Sequence, residues 1–77
     1  MDIDHLVHMA NRIAEFFEVM PDEAEARDGV AQHLQRYWEP RMRAHLIDHL
    51  RVREGAGLRQ LVIDALTVQQ AGARFPP

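Results

Sequence analysis

His45 and His49 stand four residues apart in "AHLIDHL", a spacing that puts both imidazoles on one helix face, as in zinc hydrolases of the zincin type. A catalytic zinc site needs a third ligand, and the zincin pattern places a Glu directly after the first His, where this chain has Leu46. His5 and His8 form a looser pair, and His33 stands by itself. The simpler reading of all five is surface or interface histidine, with no metal bound. Five histidines and twelve carboxylates also leave general acid–base chemistry open. Against it, the chain has no Ser, Cys or Lys. That removes a triad serine, a thiolate nucleophile, cluster or zinc thiolates, disulfides and Schiff-base lysine chemistry. A chain of 77 residues also has little concave volume for a substrate, which argues against a self-sufficient enzyme.

A second constellation lies just upstream, in "QRYWEPRMR". Tyr37 and Trp38 are the only residues of their types, and they are followed by Pro40, Arg41, Met42 and Arg43. Trp, Tyr and Arg are the types enriched where proteins dock, because they combine large apolar area with fixed hydrogen-bond geometry. Two readings of Trp38 stay open, a docking residue or a core anchor at a helix corner. Phe16 and Phe17 pose a related question. Adjacent helical residues point about 100° apart, so one should face a partner unless the fold wraps far enough to bury both. Arg36, Arg41 and Arg43 around a helix, proline, helix break could also contact phosphates in a helix-turn-helix reader. Charge argues against nucleic acid. Residues 1–35 carry eight acids against Arg12 and Arg27, and residues 36–77 carry seven Arg against four acids, for a net charge of -3.

The elements that must position these residues are all helical. Ile3, Leu6, Val7, Ala10, Ile13, Ala14, Phe17 and Met20 recur at three- and four-residue spacing, predicting a helix capped by Asp2 or Asp4 and ending near Met20, before Pro21. Pro21 or Asp22 opens a second helix, with Glu23 and Glu25 in its first turns and a stripe of Ala26, Val30, Ala31, Leu34, Tyr37 and Trp38. Gly29 lies inside that run, through a close helix crossing or simple tolerance. Pro40 begins a third helix, which buries Met42, Leu46 and Leu50, with Ile47 as a further candidate, and runs to about Arg53, with Gly55 as its left-handed C-terminal residue. After "EGAG", Leu58, Leu61, Val62, Ala65, Leu66 and Gln69 mark a fourth helix. The fold class is therefore all-α, a small bundle of about four helices with short loops. Residues 1–70 form one domain, and residues 71–77 are expected to be a flexible or partner-bound tail. Apolar runs are too short to span a membrane, and the acidic N-terminus lacks the basic region of a signal peptide, so the default location is the cytoplasm.

Taken in order, "HLVHMANRIAEFFEVMPD", "GVAQHLQRYWEPRMRAHLIDHL", "GAGL" and "LVIDAL" resemble the delta subunit of the soluble, NAD-dependent, molybdenum-containing formate dehydrogenases. The resemblance runs from His5 to Leu66. Its most specific parts are Met9, Ala10, Asn11, Ile13, Phe16 and Phe17, the block from Trp38 to Arg43, and Gly55 to Leu58. It implies a non-catalytic accessory subunit that helps assemble or stabilise the alpha subunit. In that family alpha carries bis-molybdopterin guanine dinucleotide and iron–sulfur clusters and oxidises formate to carbon dioxide. Beta and gamma pass the electrons through FMN and clusters to NAD. This chain would carry no cofactor of its own. Asn11, Phe16, Phe17, Tyr37, Trp38, Arg41 and Arg43, with Pro40, are then docking or folding positions. The alternative is an independent helical module: a homodimeric adaptor, a regulator, or a weak metal or nucleic-acid binder.

Overall fold

Asp2 starts the first helix by accepting a hydrogen bond from the Asp4 amide at 3.0 Å. The computed structural model describes residues 2–74, and the side chains of residues 2–68. It contains α1 (Ile3–Phe17), α2 (Glu23–Tyr37), α3 (Pro40–Arg53) and α4 (Gln60–Arg74), with no strand among the described residues. The all-α bundle is the one expected.

Along α1 the apolar stripe buries Leu6, Ala10 and Ala14, and the two alanines leave room for the other helices. The helix ends three residues before Met20. Glu18 caps it by donating to the Ala14 carbonyl at 2.8 Å, and Met20 donates to the Phe17 carbonyl at 3.1 Å in a turn. Pro21 biases Met20 away from helical geometry, so the reversal is made upstream of the proline. Asp22 then caps α2, its Oδ1 accepting from Ala24 N at 2.8 Å and Glu25 N at 3.2 Å.

Between α2 and α3 lie only Trp38 and Glu39. Trp38 is extended (φ -91°, ψ 141°), which takes its indole off the helical path and into the core. Tyr37, expected on the same buried stripe, stays outside. Pro40 opens α3 as predicted, and the Glu39 carbonyl accepts from Met42 N and Arg43 N. At the far end the left-handed conformation falls one residue earlier than expected, on Glu54 (φ 57°), and Gly55 (φ 74°) and Gly57 (φ 86°) follow with positive φ. Gly55 is buried, and an added Cβ would sit 3.2 Å from Leu50 and Ile63 side-chain atoms, which is why glycine stands there.

The fourth helix buries Val62, Ala65 and Leu66 and packs chiefly on α2, while α1 touches all three other helices. Its helical backbone continues to Arg74, so the first part of the expected tail is helix; residues 75–77 lie outside the described residues. The radius of gyration is 11.6 Å, close to the value of about 11.5 Å for a single globule of this length, so one core serves all four helices.

Candidate docking surface

The corner that joins α2 to α3 is locked from inside. Arg43 reaches back across the corner, and its Nη1 donates to the carbonyls of Trp38 at 2.5 Å, Gln35 at 3.1 Å and, at a longer 3.4 Å, Leu34. A guanidinium there satisfies carbonyls that the end of a helix leaves unpaired and offsets the negative end of its dipole. Trp38 is 6 % exposed and belongs to the same buried core cluster as Leu34, Leu46 and Leu66. Of its two readings, the structure takes the core anchor.

Asn11 is also turned inward on the chain. Its amide Nδ2 donates to the Gly57 carbonyl at 2.9 Å, and its Oδ1 accepts from the Arg59 amide at 2.9 Å, so one α1 side chain holds the loop before α4. Beside it, Arg59 forms a two-point ion pair with Glu18, with Nε to Oε2 and Nη2 to Oε1 both at 2.7 Å. The hydrogen bond from Arg59 holds the Glu18 carboxyl below its ordinary value. The same bond raises Arg59, which stays charged.

Two aromatic rings of the expected set remain outward. Phe16 is 74 % exposed and Tyr37 68 %. They are the ends of a continuous row: Phe16 to Phe17, 5.1 Å between ring centroids; Phe17 to His33, 6.5 Å; His33 to Tyr37, 4.8 Å. Beside the row runs a shallow groove of about 180 Å³, lined by Phe17, Gly29, Gln32, His33, Arg36 and Tyr37. Gly29 makes the seat for Phe17, because a Cβ there would stand 2.5 Å from the ring. The glycine therefore marks a close α1–α2 crossing, as one reading of the sequence had it. Phe17 is half-buried in that crossing while Phe16 points out, which resolves the question of the adjacent pair.

Four of these lining residues, Gly29, Gln32, His33 and Arg36, were missing from the sequence-based set. A signal existed. Gly29, His33 and Tyr37 are spaced i, i+4, i+8 and so share one line along α2. Arg41, expected in the docking set, is exposed on the first turn of α3 but does not line the groove.

Elsewhere the surface is less distinctive. A wider depression of about 450 Å³ between the starts of α2 and α4 includes Glu18, Glu23, Asp64 and Leu61. Two of its acids are already engaged, Glu18 with Arg59 and Asp64 with the Gln60 amide at 2.9 Å. His49 is used internally as well, its Nε2 lying 2.8 Å from the Ala56 carbonyl and donating to it. Among the described residues no group of three or more His, Asp or Glu could hold a metal ion. No helix among them is long and apolar enough to cross a membrane.

The family model for the NADH-dependent formate dehydrogenase delta subunit, FdsD, matches residues 5–66. The chain belongs to that family. It is the family the sequence resembles, over the same span, and it fits a subunit of that enzyme complex. The matched region of this family member ends at Leu66, the last buried residue of the core cluster among the described residues. It contains both the locked corner and the whole aromatic row. No curated protein and no solved structure matches the chain.

Proposed function

We propose that this delta-family chain is a non-catalytic accessory subunit that docks on the alpha subunit of a cytoplasmic NAD-dependent formate dehydrogenase and assists assembly or stability of cofactor-loaded alpha. The observation that carries the reading is the aromatic row from Phe16 to Tyr37, with two large rings exposed at its ends on a chain of 77 residues. Exposed aromatic clusters of this kind mark protein contacts, because rigid rings give large buried area with little loss of side-chain freedom. Family membership supplies the complex in which such a contact would be made. The reading also agrees with a chain that has no cysteine and so no thiolate for an iron–sulfur cluster. Formate oxidation, with NAD reduced to NADH, would then rest on the alpha, beta and gamma subunits and their molybdenum cofactor, clusters and FMN.

Of the positions expected to dock, Phe16, Tyr37 and the exposed Arg41 remain as contacts. Phe17 supports the ridge. Trp38, Arg43 and Asn11 act through folding. The test is co-expression with tagged alpha, beta and gamma subunits of the Phe16→Ala, Tyr37→Ala double variant, whose changes lie on the surface. Retention of the variant on the complex should fall at least tenfold, and the molybdenum content of alpha should fall with it. Retention and molybdenum content equal to wild type would overturn the docking role of the ridge.

A further inference from the structure

The groove beside the ridge is more selective than an apolar contact. The Phe17 ring, seated on Gly29, and the tilted pair His33 and Tyr37 line it, and Gln32 and Arg36 supply the polar part. Among the described residues no carboxylate lines it, although residues 1–35 carry eight acids. Arg36 is the one arginine in the lining among the described residues. Arg43 already serves the carbonyls at the end of α2, so Arg36 is not drawn into the cap, and it has no ion-pair partner among the described residues.

We infer that this groove receives a partner segment that presents one aliphatic side chain, of leucine or methionine size, beside an Asp or Glu carboxylate. The inference rests on the docking reading above and names the chemistry of what docks. A volume of about 180 Å³ admits a side chain, whereas small-molecule sites run to about 300 Å³ and more. The aliphatic group lies against Phe17 and Tyr37. The carboxylate accepts two parallel hydrogen bonds from the Arg36 fork. A purely apolar segment would cover Arg36 and leave a charge unpaired, and a basic segment would oppose it. A second copy seated ridge to ridge about a two-fold axis would bring two Arg36 side chains together with no carboxylate in either groove.

The experiment uses the full chain co-expressed with the tagged large subunits, with circular dichroism melts to confirm that each variant folds. Arg36→Glu should weaken retention at least tenfold, Arg36→Lys should lose less, and Arg27→Glu, at the other end of α2, should stay within twofold of wild type. Wild-type retention should weaken as salt rises, and Arg36→Ala should flatten that dependence. Loss of binding in the Phe16→Ala, Tyr37→Ala variant together with wild-type retention of Arg36→Glu would overturn the acidic occupant and leave the ridge intact. Wild-type retention of both would overturn the docking reading as well. A homodimer of the isolated chain that Arg36→Glu dissociates, with complex retention unchanged, would make the occupant a second copy and overturn the inference.

Discussion

Replacing Arg43 with methionine keeps an aliphatic stem of similar length and removes the guanidinium that closes the α2–α3 corner. The magnitude follows from the three carbonyls it serves. Leu34 O is 3.4 Å away and already accepts from Trp38 N at 3.0 Å, so its loss counts for little. Gln35 O is exposed, and water replaces the bond, leaving about 0.5 kcal/mol. Trp38 O is part-buried and held at 2.5 Å; leaving it unpaired costs about 1–2 kcal/mol. The sum is about 2 kcal/mol of destabilisation, which in a domain this size lowers Tm by roughly 8–16 °C. Urea unfolding followed by circular dichroism measures it, with Arg43→Lys as the comparison that restores charge but not the fork. A loss under about 0.5 kcal/mol for Arg43→Met would refute the assignment of Arg43 to the fold. It would return that residue to the surface contacts.

Trp38→Ala should destabilise by about 3–5 kcal/mol, as expected for a large buried aromatic side chain, and leave the chain largely unfolded at 37 °C; a folded variant with a Tm near wild type would show that the indole is not a core anchor. Asn11→Ala removes both bonds that tie α1 to residues 57 and 59 and should cost about 1–2 kcal/mol, with hydrogen exchange at the start of α4 accelerating more than exchange at Val62 to Leu66. Glu18 has its folded-state value lowered by Arg59, so the pair contributes fully above the ordinary carboxyl value near 4.5 and loses its contribution as pH falls through the lowered one. Thermal melts of Glu18→Gln should therefore differ from wild type at pH 7 and converge with it in acid; a difference that persists at the lowest pH would assign the effect to something other than the ion pair.

Much of the architecture could be read from residue types and spacing because helices are local objects. Asp22 as a cap, Pro40 at the first position of α3 and the three- and four-residue stripes all depend on neighbours within a turn or two. The candidate site was harder, since each of its residues offered two faces of chemistry. Arg43 and Trp38 have the composition of a hot spot, yet the extended backbone at Trp38 turns the ring inward, and Arg43 finds carbonyls five and eight residues back. Asn11 bonds residues 46 and 48 positions away, a distance no helical period encodes. His33 has one ring neighbour four residues on in its own helix, Tyr37, which the sequence does show, and another, Phe17, from α1, which it does not.

By itself, then, the sequence determined the four helices, the starts of the first three, the absence of thiolate and lysine chemistry, and the family resemblance, all of which rest on local geometry or residue identity. Only the tertiary structure decided which of each adjacent aromatic pair faces solvent, because helical periodicity places Phe16 and Phe17 on different sides without saying which side is covered. The crossing of α1 over Gly29 made that choice for Phe17. The extended corner made it for Trp38, and the side chains left outside form the ridge.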